Sequence, residues 1–94
     1  MRVEIDGRSL RSIDDFHEFV ANLEGVPGYY GRNLDALSDV LMSCFSEPVD
    51  MVIRNTGAAR VALGKDFYGL VQTLEDVATE TSKAEYPFTF SLVD

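Results

Sequence analysis

The sequence predicts an α/β fold in which helices pack on a three-stranded parallel sheet. Three short segments have the alternation or the apolar composition of β-strands, and two stretches with helical character lie between each strand and the next. The predicted order is therefore β-α-α-β-α-α-β. Because strands joined by helical crossovers run parallel, the sheet is expected to be parallel and covered by helices. At 94 residues the chain is expected to form a single domain, residues 1–94.

The first two predicted elements are a strand and an amphipathic helix. Residues 1–6, MRVEID, alternate charged and apolar side chains and predict a strand that ends at Gly7. Residues 12–25, SIDDFHEFVANLEG, predict a helix that Ser12 caps and Gly25 stops. Its apolar stripe is Ile13, Phe16, Val20 and Leu23. His17 is the only histidine, and its place beside this stripe favours a packed side chain over a catalytic one.

A loop rich in glycine and proline, residues 25–32, leads into the second helix. Residues 33–45, NLDALSDVLMSCF, predict this helix, with Asn33 as its N-cap and Asp35 where the helix dipole favours a negative charge. Its inward-facing residues are expected to be Leu34, Leu37 and Leu41, with Val40, Cys44 and Phe45 beside them. Cys44 is therefore expected to be a buried thiol.

The second half of the chain predicts two more strands and two more helices. Residues 48–55, PVDMVIRN, are the most apolar strand segment and are expected to form the central strand. Residues 56–65 give a weak signal for a short helix or turn, whereas residues 66–81 are clearly amphipathic. The last strand is predicted at residues 87–94, PFTFSLVD, with Phe88, Phe90 and Leu92 on one face.

The charge balance restricts the class of partner. With 8 basic and 16 acidic residues, the formal net charge is −8, which argues against direct nucleic-acid binding. An acidic surface permits a basic partner and also keeps a protein in solution. One cysteine excludes an internal disulfide and is typical of a reducing compartment. No segment resembles a signal peptide or a membrane span, so a cytoplasmic location without membrane binding is expected.

Catalytic and metal-binding motifs are absent from the sequence. No nucleophile elbow, P-loop, dinucleotide fingerprint or cysteine–histidine metal pattern occurs. Asp35 and Asp39 could act as an acid–base pair, but nothing in the sequence indicates a pocket that would shift either pKa. A metal-dependent enzyme built on these carboxylates remains the weaker alternative. We expect the protein not to be an enzyme and to need no cofactor or metal ion.

A protein-binding surface is the better interpretation of the second helix. Asp35, Ser38, Asp39 and Met42 form a strip turned away from the leucines, which alone would be an ordinary solvated face. Two tyrosines on the preceding loop favour binding, because exposed tyrosines bury large areas at low entropic cost. One of the pair is expected to pack against the fold and the other to be exposed.

The fourth helix carries further carboxylates. Asp76 and Glu80 lie one turn apart opposite its apolar stripe, with Glu75 nearer the edge. If the second and fourth helices are neighbours, these groups and the Asp35–Asp39 strip form one negative surface. Such a surface can imitate nucleic-acid phosphates, and its natural target is the basic active site of an enzyme that binds nucleic acid.

Residues 29–39, YYGRNLDALSD, resemble the signature of the barstar family of intracellular ribonuclease inhibitors. That signature is two tyrosines, a glycine, any residue, then Asn-Leu-Asp-Ala-Leu and a following aspartate. Residues 5–17, IDGRSLRSIDDFH, are similar to the family's opening. Pro48 before the second strand and the helix that contains Gln72 extend the resemblance over nearly the whole chain.

The resemblance implies a one-to-one inhibitor that plugs the active site of a small, secreted guanyl-specific ribonuclease. It implies that Asp39 takes the place of the substrate phosphate among the enzyme's catalytic cations. Asp35 would accept hydrogen bonds from the loop that recognises guanine, and Tyr29 would pack on the region of the catalytic histidine. The positions that match the family's contact surface are Tyr29, Gly31, Asn33, Leu34, Asp35 and Asp39. Ser38, Met42 and Asp76 complete the candidate surface.

Several positions depart from the family pattern. Ser38 stands where the best-known member has a tryptophan, Cys44 where another aromatic is expected, and Asp76 where a glutamate is expected. Arg32 replaces an acidic residue and is expected to meet an acidic group on the enzyme's rim. These departures leave the cognate enzyme open. An acidic barstar-like module that binds another basic partner without inhibiting a ribonuclease is the main alternative. The resemblance also implies a cis Glu47–Pro48 bond.

Overall fold

The computed structural model describes residues Met1–Asp94 and confirms the predicted order of strands and helices. The elements are β1 (Arg2–Asp6), α1 (Ile13–Ala21), α2 (Leu34–Ser43), β2 (Val49–Arg54), α3 (Thr56–Leu63), α4 (Lys65–Glu80) and β3 (Phe88–Leu92). A single turn of 3-10 helix, Gly7–Ser9, follows β1. The fold class is therefore the predicted one, α/β with a three-stranded parallel sheet.

The sheet has the order β1-β2-β3, and both strand pairs are parallel. The apolar strand β2 is central, as its composition predicts. Residues in register alternate between a buried face and a polar face, with one exception, the buried Val52 on the polar face. On the polar face Arg54 pairs with Glu4 at 2.8 Å, and the Thr89 hydroxyl donates to Asp50 at 3.0 Å. The helices therefore cover only the apolar face.

The core lies between that apolar face and the helices. Its most deeply buried large side chains come from all three strands and from α1, α2 and α4: Ile5, Met51, Ile53, Phe88, Phe16, Val20, Leu37, Leu70, Leu74 and Val77. A core of this kind stabilises the fold mainly through the removal of apolar surface from water. α2 packs against α4, and Gly69 of α4 leaves room there for the Leu34 side chain. This contact fixes the position of α2 on the body of the protein.

α1 is shorter than its sequence predicts. It ends at Ala21 rather than at Gly25, because Asn22 takes the C-cap position and its side-chain Nδ2 donates to the Glu18 carbonyl at 2.8 Å. Turns then carry the chain to Gly25, whose φ of +97° favours glycine. Ser12 occupies the N-cap position without a side-chain capping bond.

α4 is the amphipathic helix that the sequence predicts. It buries Phe67, Leu70, Leu74 and Val77 and exposes a polar outer face. With 16 residues it is the longest helix of the chain. None of the helices combines the length with the apolar character that a bilayer crossing requires.

The expected cis Glu47–Pro48 bond is wrong, since the chain contains no cis peptide bond. Trans is the default isomer even before proline, favoured by about 0.5–1 kcal/mol. The segment is held against the start of the sheet in this trans form. The Met1 ammonium donates to the Pro48 carbonyl at 2.6 Å and pairs with Glu47 at 2.8 Å.

Candidate protein-binding site

The loop before α2 separates its two tyrosines in the way the sequence predicts. The Tyr30 N–H donates to the Pro27 carbonyl at 3.0 Å, which closes a turn with Tyr29 at its tip. Tyr29 is 88% exposed, whereas Tyr30 is 7% exposed and belongs to the core. Tyr30 therefore packs against the fold, whereas Tyr29 faces solvent.

Tyr30 anchors the loop to α1 through His17. The Tyr30 hydroxyl and His17 Nδ1 lie 2.6 Å apart and share a buried hydrogen bond. Burial raises the pKa of Tyr30 to about 12, against a smaller opposing effect of Arg32. Burial also lowers the pKa of His17, more than the nearby Asp14 carboxylate raises it. Both rings are therefore neutral at pH 7, and His17 is the packed histidine that the sequence predicts.

Gly31 brings the loop close to the first turn of α2. A Cβ atom built on Gly31 would lie 3.2 Å from the Ala36 Cβ atom, closer than such atoms normally approach. Asn33 then caps the helix as predicted, with its side-chain oxygen accepting a hydrogen bond from the Ala36 N–H at 2.8 Å. These two contacts hold the loop against the start of the helix. Tyr29 lies on the loop, and the acidic strip of Asp35, Ser38, Asp39 and Met42 lies on the helix.

The acidic strip of α2 faces solvent. Asp35, Asp39 and Met42 are exposed and Ser38 is half-buried, while Leu37 lies in the core behind them. None of the five ion pairs in the structure includes Asp35 or Asp39. These two carboxylates therefore have no electrostatic partner within the chain.

A groove of about 300 Å³ lies between Tyr29 and Asp39. Its lining residues are Pro27, Tyr29, Tyr30, Gly31, Ala36, Asp39, Val40, Ser43 and Cys44. The groove thus joins an aromatic side chain, a carboxylate and an apolar base. Cys44 is half-buried rather than buried, because it sits at the C-cap of α2 and reaches this groove.

Asn33 and Leu34 border a separate groove of about 280 Å³. It is shared with the first residues of α1 and α4, and its charged members are Asp14, Arg32, Lys65 and Asp66. The structure therefore brings Tyr29, Gly31 and Asp39 together and places Asn33 and Leu34 next to a second depression.

α4 provides the remaining carboxylates. Asp76, Glu75 and Glu80 are all exposed, and Asp76 accepts a hydrogen bond from Gln72 at 3.0 Å. α2 and α4 are neighbours, which is the condition that a joint acidic surface requires. No group of three or more His, Cys, Asp or Glu side chains is arranged to hold a metal ion.

Arg32 makes a contact that the sequence does not reveal. Its Nη1 atom lies 2.6 Å from Glu18 Oε2. In the free chain Arg32 is therefore paired with a carboxylate of α1 and is not available to a carboxylate of another protein. The two residues are 14 positions apart, and opposite charge is the only signal that could have linked them. Ala36 and Cys44 were likewise not predicted to border the site.

Comparison with known proteins identifies the class of protein to which this chain belongs. A family model described as barstar (barnase inhibitor) matches residues 1–93. The chain is also 32% identical over 85 residues to a Bacillus subtilis (strain 168) protein named "Putative ribonuclease inhibitor YrdF". That alignment covers 90% of this chain and 92% of the relative. The protein belongs to the barstar family.

Proposed function

We propose that this protein inhibits a small guanyl-specific ribonuclease by covering its active site in a one-to-one complex. The observation that carries the proposal is the pairing of Tyr29 and Asp39 across one groove. Both side chains are exposed, and neither has a partner in its own chain that would explain its position. Family membership supports the same function, and the relative's name points in the same direction.

Asp39 is the central residue of the proposed interface. Ribonucleases hold the substrate phosphate with a cluster of cationic side chains, and a carboxylate on a rigid helix can occupy that cluster. Asp39 is suited to this role because α2 is fixed by its core contacts and by the Asn33 cap. Charge-assisted hydrogen bonds formed there would be shorter and stronger than neutral ones.

The groove beside Asp39 would accept a ring from the enzyme. Tyr29 forms one wall, and Pro27, Ala36 and Val40 contribute apolar surface. A planar imidazole can stack on a tyrosine while its N–H donates to a neighbouring carboxylate. The groove therefore fits the catalytic histidine of the proposed enzyme.

Asp35 and Asp76 would extend the contact beyond the phosphate site. Both are exposed, and they lie on the two packed helices α2 and α4. Asp35, in the first turn of α2, would accept hydrogen bonds from the guanine-recognition loop. Ser38 and Met42 complete this part of the surface, and the small side chain of Ser38 would leave room for a larger group on the enzyme.

The overall charge would speed the encounter. A net charge of −8 attracts a basic enzyme over distances of about 10 Å at moderate ionic strength. The same charge disfavours direct binding to nucleic acid. Such an inhibitor would act in the cytoplasm, where it protects the cell's own RNA from an enzyme destined for secretion.

A ribonuclease inhibition assay tests the proposal. Increasing amounts of the protein are added to a fixed amount of each enzyme in a panel of guanyl-specific ribonucleases, beginning with barnase, which the family description names. We expect at least one enzyme to lose activity linearly, with complete inhibition at one equivalent. If no enzyme in the panel is inhibited at a large excess of the protein, the proposal is wrong. Binding to another basic partner is then the better account of the acidic surface.

A further inference from the structure

The loop that carries Tyr29 is attached to α1 by contacts that the proposed function does not explain. Two consecutive residues of α1 hold two residues of the loop, one on each side of Gly31. His17 shares a buried hydrogen bond with Tyr30, and Glu18 pairs with Arg32 at 2.6 Å. The loop is therefore attached at both ends of the segment that approaches α2 most closely.

Arg32 has a backbone conformation that needs support. Its φ is +54°, in the left-handed region, although it is not glycine. This conformation is sterically unfavourable for an ordinary L-residue. Arg32 connects Gly31 to the N-cap Asn33, so a change of φ at this position would turn the Tyr29 loop relative to α2 and widen or close the groove beside Asp39.

Glu18 is well placed to hold Arg32 in this conformation. One carboxylate oxygen accepts from Arg32, and Asn22 Nδ2 lies 3.4 Å from the other oxygen while also donating to the Glu18 carbonyl. The carboxylate is thus held by its own helix on one side and by the loop on the other. Glu18 lines neither groove of the candidate site, so it acts on the site only through Arg32.

Charge gives the pair a second effect. Arg32 is half-exposed and lies three residues before Asp35 of the acidic strip on α2. An unpaired guanidinium there would repel the cations of a basic partner, whereas pairing with Glu18 neutralises it locally. Arg32 would therefore disturb the site both in shape and in charge if Glu18 were absent.

We propose that Glu18 is a positioning residue, which fixes the Tyr29–Gly31 loop against α2 and neutralises Arg32 for ribonuclease binding. The link to ribonuclease binding rests on the function proposed above, whereas the ordering of the loop does not. The partner's basic groups would then meet a surface on which the charge of Arg32 is already balanced by Glu18.

The test compares Glu18→Gln with the matched control Glu24→Gln. Both changes remove one negative charge, Glu18 from α1 and Glu24 from the turns that follow it, and Glu24 is exposed and belongs to none of the five ion pairs. Backbone order parameters from ¹⁵N relaxation report on the free protein. In Glu18→Gln we expect those of Gly31 and Arg32 to fall from the rigid value of about 0.85 toward the flexible range below about 0.6, with no change in Glu24→Gln.

Dissociation from the inhibited ribonuclease is the second measurement. Loss of an exposed ion pair of this kind should make Glu18→Gln dissociate about threefold to fivefold faster than Glu24→Gln. In an Arg32→Gly background, where glycine accepts the positive φ without help, Glu18→Gln should have no further effect on either measurement.

Two results would overturn the proposal. One is an unchanged order parameter at Gly31 and Arg32 in Glu18→Gln. The other is a more mobile loop with the dissociation rate of the Glu24→Gln control, since that would make the ion pair purely structural. If the wild-type protein binds no ribonuclease, the proposed function fails, and the order parameters still decide whether Glu18 holds the loop.

Discussion

The Tyr30 hydroxyl and His17 Nδ1, which share a buried hydrogen bond 2.6 Å long, connect the loop that carries Tyr29 to the body of the protein. Neither residue is exposed, and both rings must be neutral for the contact to form without a buried charge. The bond therefore makes the position of an exposed binding residue depend on the protonation state of a buried pair.

The first prediction is that this pair sets the pH range of maximal stability. Because the pKa of His17 is lowered by burial from its ordinary 6.5, the unfolded chain takes up a proton first as the pH falls below 6.5. Stability should decline from that pH downward until the folded state also binds the proton. Tyr30 has the opposite effect: the unfolded chain loses its proton first between pH 10.0 and about 12, so stability should decline as the pH rises through that range.

Urea unfolding midpoints measured from pH 5 to pH 11 test this prediction. The pKa of Glu18 is lowered, chiefly by its hydrogen bond to Arg32, so this residue affects the pH dependence of stability only near and below its ordinary pKa of 4.5. His17 therefore dominates the decline in stability just below pH 6.5. His17→Gln should be less stable at neutral pH and should lose that decline. An unchanged slope in the variant would show that another group is responsible.

The second prediction separates the two tyrosines. Tyr29→Ala should lower the free energy of unfolding by about 0.5 kcal/mol or less, because the side chain is exposed. It should still accelerate dissociation from the ribonuclease. Tyr30→Phe should cost about 1–3 kcal/mol of stability, since it leaves the buried His17 Nδ1 without its partner. Equal losses of stability in the two variants would contradict the division of roles, and denaturant unfolding measures both.

The third prediction concerns the approach of Gly31 to α2. Gly31→Ala would place a methyl group 3.2 Å from the Ala36 Cβ atom and should push the loop outward, so we expect faster dissociation from the ribonuclease. Adding Ala36→Gly removes the opposing methyl group. The double variant should recover the slow dissociation while losing about 1 kcal/mol of stability, because glycine is unfavourable within a helix. Failure of this rescue would show that Gly31 serves the partner directly rather than the packing of the loop.

The sequence predicts the fold well because its periodicities are strong. β1 and β3 alternate, β2 is rich in apolar residues, and the stripes of α2 and α4 have few exceptions. The end of α1 is less predictable. Asn22 caps the helix, with its side chain donating a hydrogen bond to the Glu18 carbonyl, so the helix ends before Gly25. The Glu47–Pro48 bond shows a different limit: a family resemblance implied an isomer that this chain does not adopt.

The candidate site was predictable only in part. The exposed strip of α2 and the exposed Tyr29 follow from helical spacing and from a turn that buries one of two tyrosines. The groove between them does not, because it depends on how closely Gly31 approaches Ala36 and on where Cys44 ends the helix. The Glu18–Arg32 pair was also unpredictable, since it requires α1 and the loop to lie side by side.

The last prediction addresses Asp39. Because its carboxylate has no partner within the chain, Asp39→Asn should change the free energy of unfolding by about 0.5 kcal/mol or less. In the complex the same change would leave desolvated enzyme cations unpaired. That typically costs about 2–5 kcal/mol, a range for which the barnase–barstar complex is itself a reference case.

Asp50→Asn is the matched control. Asp50 is exposed on the polar face of the sheet, away from the helices, and an asparagine there can still accept the Thr89 hydroxyl hydrogen bond. Each variant removes one negative charge, so their long-range attraction to a basic enzyme should fall by similar, salt-sensitive amounts. Only the loss of a direct contact can distinguish their dissociation rates.

The dissociation rate of each variant from the ribonuclease that the wild-type protein inhibits, at low and at high salt, tests the central claim most directly. We predict that Asp39→Asn dissociates about 30-fold faster than wild type or more at both salt concentrations, whereas Asp50→Asn dissociates at the wild-type rate. Equal dissociation rates for Asp39→Asn and Asp50→Asn would contradict the claim that Asp39 replaces the substrate phosphate.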